Sequence, residues 1–331
     1  MTLYNDRIKI KELLFNLSIN LNDFSISRIG SGKNNRTYLI STQSEKFLAK
    51  FYFFSSQDKR ERLINEFNFL KYVKEIGIKN VPKPIIKSDY HNLGIYEFID
   101  GRAFNSTDLN EGKIIEAASF FSSINNYQYK VKSRGLNFAS DAFLDYDKFV
   151  IQINQRILVL ENAVKTEKNS EDAVKFIKNL KSLWIGLKEE LKKDRDLIIE
   201  NKSLCVSPSD FGFHNSLITK NELFFVDFEY AGIDDPAKLL ADFFIQPEIK
   251  VSLDYMKVFS YRALEFSHKK DIIYQRALKL FPIFQVKWCC IMMNEFLPEI
   301  AKRRLFSNPQ LDLEKSKFQQ LKKAKKLLLD I

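Results

Sequence analysis

One stretch, residues 207–232, narrows the fold more than any other part of the 331-residue chain. It reads SPSDFGFHNSLITKNELFFVDFEYAG and holds two short apolar runs, 216–218 and 223–226. The polar tetrapeptide Thr219-Lys220-Asn221-Glu222 between them is a turn, so the runs fold back on one another as a hairpin. Asn215 and Asp227 flank that hairpin and meet at its open end, with Asp210 five residues before Asn215. This β-rich island, 204–228, interrupts a region that otherwise reads as helix.

An amide oxygen and a carboxylate side by side, with open positions for water, suit Mg²⁺, which takes few protein ligands and completes its shell with phosphate oxygens. Asp210 is then placed to accept a proton from an attacking hydroxyl. Positioning plus charge neutralisation is what phosphoryl transfer requires. A plain polar hairpin would use any one of these residues as a cap or turn former. The three together, in the order D-x-x-x-x-N then D, favour chemistry.

The first hundred residues read differently. A helix over 1–20 carries Leu13, Leu14 and Leu17 on one face. Short extended runs follow at 24–29, 37–41 and 46–54, then a long helix over 58–76 stopped by Gly77, with Pro82 and Pro84 beyond it. Runs at 81–87 and 93–99 bring the strands to five. The rest is mostly helical, over 108–126, 142–165, 171–199, 236–245, 252–266, 270–302 and 310–330. The pattern predicts an α+β protein. A strand ending in Asp100-Gly101 divides it into an N-terminal part, 1–97, and a helical part, 98–331.

Two further signals lie in the N-terminal part. Gly30 and Gly32, in RIGSGKNNRTYLI, sit in a turn between strands, where backbone amides can approach phosphates closely. The alternative is a simple hairpin turn, and no P-loop G-K-[ST] follows. Lys50 lies inside the apolar strand FLAKFYFF, and the next helix presents Leu63, Phe67, Leu70 and Val73 on one face with Glu66 inside the same stripe. A carboxylate facing a core needs a partner. Lys50 is the natural one, unless Glu66 reaches solvent at the edge of the stripe beside Lys74.

With 45% hydrophobic residues the chain can bury a core and is not a disordered segment. The 30 Phe are spread along the sequence and read as composition. A net charge of +10 leaves nucleic acid, an anionic membrane surface or an anionic substrate open, and the helix KSKFQQLKKAKKLLLDI concentrates it above a partial stripe of Phe318, Leu321 and Leu328. No aromatic RNA-binding signature or Cys/His finger accompanies these residues, so nucleic-acid and membrane binding are not expected. Cys205, Cys289 and Cys290 are odd in number and lack metal-type spacing. With no secretory h-region, the expectation is a cytoplasmic protein. Nothing indicates an oligomeric state.

Together these residues resemble the aminoglycoside phosphotransferase family, whose relatives include choline, homoserine and methylthioribose kinases. The resemblance runs from about Phe24 to Pro247. It implies a protein-kinase-like bilobal fold: a small N-terminal lobe with an antiparallel five-stranded sheet and one main helix, and a larger, mostly helical C-terminal lobe. It implies ATP and Mg²⁺ as cofactors and a small-molecule hydroxyl (of a sugar, amino alcohol or aminoglycoside-like compound) as acceptor. Gly30 and Gly32 would then belong to the nucleotide loop, with Asn35 near the phosphates. Lys50 resembles the phosphate-binding lysine and Glu66 its helix partner. Glu97, Phe98 and Ile99 resemble the hinge that holds adenine. Asp210 resembles the catalytic base, Asn215 and Asp227 the metal ligands, and Glu229 a residue behind that shell.

Departures from the pattern are visible. Pro208 and Ser209 stand where the family usually has His-Gly, and Leu239 stands where relatives often carry Asp, with Asp242 nearby. Asp235 and Pro236 read as the cap and first residue of a helix. The alternative function is a catalytically weak or inactive nucleotide-binding scaffold; the presence of Lys50, Asp210, Asn215 and Asp227 together speaks against it.

Overall fold

Alternating apolar residues build the N-terminal sheet. In the computed structural model, which describes residues 2–15, 24–30, 32–167, 170–194, 203–220 and 222–331, three early strands are β1 (Ser25–Ile29), β2 (Arg36–Ser41) and β3 (Lys46–Phe51). With β4 (Pro84–Ser88) and β5 (Leu93–Glu97) they form one antiparallel sheet in the order β1-β2-β3-β5-β4. The expected five strands are therefore present, and β3 is their centre. Tyr38 and Ile40 of β2, Phe47, Ala49 and Phe51 of β3, and Leu93 and Ile95 of β5 are buried in one cluster. Helix α1 (Thr2–Phe15) adds Ile10, Leu13 and Leu14 to it. Leu17, expected on the same face, lies outside the described residues.

The main helix of this part, α2 (Arg62–Glu75), starts four residues later than its apolar pattern suggested. The residues before it instead form a turn in which the Asp58 carboxylate binds the Arg60 and Arg62 guanidiniums. Leu63, Phe69, Leu70 and Val73 are buried, and Glu66 is buried with them.

The chain divides into two compact units. The first comprises 1–103 together with 216–230 and 302–311. The segment 216–230 carries the expected hairpin, β8 (Ser216–Thr219) and β9 (Glu222–Phe225), with Ser216 opposite Phe225. A two-residue strand β6 (Arg102–Ala103), which the sequence did not announce, pairs with β8. Asn221, at the turn, lies outside the described residues.

The second unit is mostly helical. It includes α3 (Glu111–Ile124), the long pair α4 (Tyr146–Thr166) and α5 (Glu171–Leu191), and helices Pro236–Ile245, Met256–Ala263, Lys270–Met293 and Leu313–Leu328. The expected single helix over 270–302 is instead two, because Pro298 opens a new helix, Pro298–Ser307, after a 3₁₀ turn at Asn294–Phe296. Two short strands, β7 (Cys205–Ser207) and β10 (Gly232–Asp234), pair antiparallel. Gly232 is required there, since a Cβ would collide with the backbone of Asn137–Ala139.

The basic C-terminal helix is tied to its own unit. Lys317 pairs with Glu167, Lys323 with Glu248 and Lys325 with Asp172. Of its expected apolar stripe, Leu321 is buried but Phe318 is 69% exposed, so the packed face turns on Leu321 and Ala324 instead. Among the described residues no helix is long and apolar enough to cross a membrane.

Charges are also buried in this unit. Asp235 caps helix Pro236–Ile245 by accepting from Ala237 N at 2.9 Å, and Arg276 holds the same carboxylate with bonds of 3.0 and 2.7 Å. Asp234 and Asp242 both bind Lys238, and Lys287 and Trp288 also donate to Asp242. Asp242 is thus committed to a structural network. Removing one partner of a buried pair leaves an uncompensated charge. Arg276→Ala is expected to destabilise the fold by about 3–5 kcal/mol in urea unfolding, whereas Lys192→Ala, at an exposed pair with Glu189, should change it by less than about 1 kcal/mol.

Candidate active site

Lys50 occupies the central strand of the sheet, opposite Thr37 of β2 and Gly94 of β5. Its ammonium is buried and donates to Glu66 Oε2 of α2 at 2.6 Å. The pairing expected from the amphipathic stripe is therefore formed, and the alternative of a solvent-facing Glu66 is not. Tyr52 Oη donates to the same carboxylate at 2.7 Å and meets Tyr96 Oη at 2.7 Å. Gly94 makes room for that arrangement, because a Cβ there would run into the Tyr96 ring. Phe228 N donates to the other Glu66 oxygen at 3.3 Å.

The second partner of Lys50 comes from beyond the hairpin. Asp227 Oδ1 accepts from Lys50 Nζ at 2.5 Å. Asp227 sits in the left-handed region with φ of +66°, a conformation Asp tolerates better than most residues. That kink after β9 turns the carboxylate back toward the sheet. Its side chain keeps 39% exposure, against 7% for Lys50 and 6% for Glu66, so Asp227 is the member of the trio that solvent or a ligand reaches.

Glu229 lies two residues on and is buried. Its Oε1 accepts from Asn34 Nδ2 and its Oε2 from Asn35 Nδ2, both at 2.7 Å. Asn35, expected near phosphates, thus uses its amide nitrogen on Glu229, while its Oδ1 is buried without a hydrogen-bond partner among the described residues. Gly30 is left-handed, with φ of +73°, where a side chain would be strained.

The charges here perturb one another. Burial alone would depress the Lys50 ammonium, but the carboxylates of Asp227, Glu66 and Glu229 outweigh it and hold it well above the usual lysine value. Burial raises the Asp227 carboxyl, and Glu229 and Glu66 add to the rise against the pull of Lys50. Burial also works against ionisation of Glu229, yet Lys50, Arg62 and the hydrogen bonds from Asn35 and Tyr230 keep it below the ordinary range.

These residues fit a cation that arrives with phosphates. Three carboxylates gather around one ammonium, and one of them, Asp227, is partly exposed. Among the described residues no group of three or more His, Cys, Asp or Glu could hold a metal alone. A single reachable carboxylate suits a cation that completes its shell with phosphate oxygens and water better than a full protein cage would.

The hinge candidates close the strand edge. Glu97 N donates to Lys83 O at 2.8 Å and Phe98 N to Lys46 O at 3.4 Å, while Ile99 O accepts from Gly101 N at 3.0 Å.

In the second unit, the loop after β7 carries Asp210 and Asn215. Ser209, one of the departures from the expected pattern, adopts φ of +65°. This is a glycine-favouring conformation, held by Ser209 N donating to Ser207 Oγ at 3.1 Å and Phe211 N to Ser209 O at 2.6 Å. Asn215 Nδ2 donates to Asp210 O at 2.9 Å, which commits the nitrogen end of the amide and leaves its oxygen as the end able to meet a cation. His214 Nε2 lies 3.2 Å from Asp210 Oδ1, a contact sequence reasoning passed over although the i,i+4 spacing within DFGFHN offers it. The roles of Asn34 and Tyr230 were also missed; nothing local in the sequence marks them.

Other proteins share this architecture. The model of the phosphotransferase enzyme family matches residues 25–249. Among solved structures, an ethanolamine kinase of Plasmodium vivax is similar with a TM-score of 0.60 and 15% identity, over 93% of this chain and 84% of that one. A choline kinase of Streptococcus pneumoniae gives a TM-score of 0.60 and 15% identity, over 98% and 100%. A spectinomycin phosphotransferase in complex with ADP and spectinomycin gives 0.58 and 11%, over 92% of both chains. At such identities the likeness is one of fold. No match is found among curated proteins. The family's match spans more than half of the chain, and the protein belongs to the phosphotransferase enzyme family.

Proposed function

We propose that the protein transfers the γ-phosphate of ATP, with Mg²⁺, to a hydroxyl group of a small molecule. The observation that carries this reading is the double engagement of Lys50, bonded to Glu66 at 2.6 Å and to Asp227 at 2.5 Å. A lysine held by a helix carboxylate on one side, with an exposed acid on the other, is suited to grip nucleotide phosphates.

In this reading Glu66, Tyr52 and Tyr96 fix the lysine, and Gly30, Gly32 and Asn35 belong to the turn that meets the phosphates. Glu97, Phe98 and Ile99 receive the adenine through their backbone. Asp227 and the Asn215 amide oxygen would hold Mg²⁺, which when bound supplies neutralisation of phosphate charge. What supports this reading is the order along the chain, with Asn215 just before the first strand of the hairpin and Asp227 just after the second. Asp210 accepts the acceptor's hydroxyl proton as the oxygen attacks phosphorus, and the Asn215 bond to its carbonyl fixes that loop.

Ethanolamine, choline and spectinomycin, named for similar structures, open the acceptor panel together with sugars. Consumption of ATP dependent on one of these compounds is the expected result, followed by detection of the phosphorylated product. ATP binding without transfer to any hydroxyl would overturn the reading in favour of a scaffold.

With the acceptor so identified, Asp210→Asn should lower turnover about 10²–10⁴-fold while leaving the melting temperature near that of the wild type. Near-normal turnover would remove Asp210 from the role of base. Asp227→Asn retains an acceptor for Lys50 but loses the charge. It should raise the Mg²⁺ concentration for half-maximal rate and cut turnover by on the order of 10²-fold, read from rates across a Mg²⁺ titration.

A further inference from the structure

The glycine turn between β1 and β2 is held by residues some 270 positions away in the chain. Ser307, at the end of helix Pro298–Ser307, donates its hydroxyl to Asn35 O at 2.9 Å and also contacts the carbonyl of Gly32. Arg304 donates to Lys33 O at 3.0 Å and to Asn34 Oδ1 at 2.7 Å. The Ser307 carbonyl in turn accepts from the Arg28 guanidinium on β1. Between these two residues Phe306 is clamped, with the Arg36 guanidinium 3.9 Å from its ring centre and the Phe53 ring at 5.5 Å. Residues 302–311 belong to the same compact unit as the turn.

The direction of these bonds matters more than their number. In a trans peptide the carbonyl and the following N–H point opposite ways, and no cis peptide occurs among the described residues. With the carbonyls of Gly32 and Lys33 drawn toward Ser307 and Arg304, the N–H groups of Lys33 and Asn34 are turned to the opposite side. Successive N–H groups presented on one side of a turn form a concavity for anions. The side-chain amides of Asn34 and Asn35 are fixed separately by Glu229, two residues from Asp227. The turn is thus set from two directions, its carbonyls by the C-terminal segment and its side chains by the residue behind the candidate metal ligand.

We propose that Ser307 and Arg304 are positioning residues of the nucleotide site, orienting the glycine turn so that its amides face the phosphates. This rests on the ATP reading above. The segment 302–311 then serves phosphate binding without touching the nucleotide.

The test compares dissociation constants of ATP with Mg²⁺ and of adenosine, which lacks phosphates, for the wild type, Ser307→Ala and Arg304→Gln. Each substitution removes hydrogen bonds that set the turn. ATP binding should weaken about tenfold, with adenosine binding unchanged within about twofold. Unchanged ATP binding, or equal weakening of both ligands, would overturn the proposal, the latter because the segment would then only support the fold. If Arg304→Gln melts below assay temperature, Ser307→Ala, which deletes one hydroxyl, decides the matter by the same comparison. A wild type that binds adenosine but not ATP would instead overturn the kinase reading itself.

Discussion

The Lys50 ammonium is the point around which the first compact unit is built. It lies in the central strand, is buried, and stands among Glu66, Asp227 and Glu229. A lysine removed from water would lose its proton without such company. The carboxylates, crowded together, would likewise be unfavourable without the lysine. Each therefore depends on the others, and the secondary structure around them serves to bring one from a strand, one from a helix and two from the segment after a hairpin. Tyr52 and the Phe228 N–H complete the bonds of Glu66, so its carboxylate is not an unsatisfied buried group.

The same interaction has an electrostatic consequence. Two like charges 4 Å apart interact with roughly 4 kcal/mol at the dielectric of a protein surface. A polyphosphate approaching Lys50 also approaches Asp227. Attraction by a single ammonium is opposed by the nearby acids, and a divalent cation shared with Asp227 reverses that balance. On the proposed ATP reading, a requirement for metal would follow from this charge arrangement, independently of any catalytic step.

Much of this was legible in the sequence because it is written locally. The hairpin after Asn215 is announced by a polar turn between apolar runs, and Glu66 by its place in an amphipathic stripe. Asp235-Pro236 carries its helix-start signal in two adjacent residues. What was not legible is tertiary. Glu229 binding Asn34 and Asn35, and Ser307 binding the glycine turn, join residues about 195 and 270 positions apart and leave no periodic trace. The pairing of β7 with β10 rests on strands of three residues, too short for alternation to register. The break before Pro298 did carry a signal, but the continuous apolar pattern on either side outweighed it. Phe318 misled for the opposite reason: spacing alone put it on the packed face, and the packed face runs through Leu321 and Ala324 instead.

The most direct test of the charge arrangement is a calorimetric titration of ATP into the protein in the presence of Mg²⁺ and again in EDTA. Binding that is strong with Mg²⁺ and at least about tenfold weaker in EDTA is the predicted result. Equal affinity in the two conditions would contradict it, since Lys50 would then hold the phosphates against its neighbouring acids unaided.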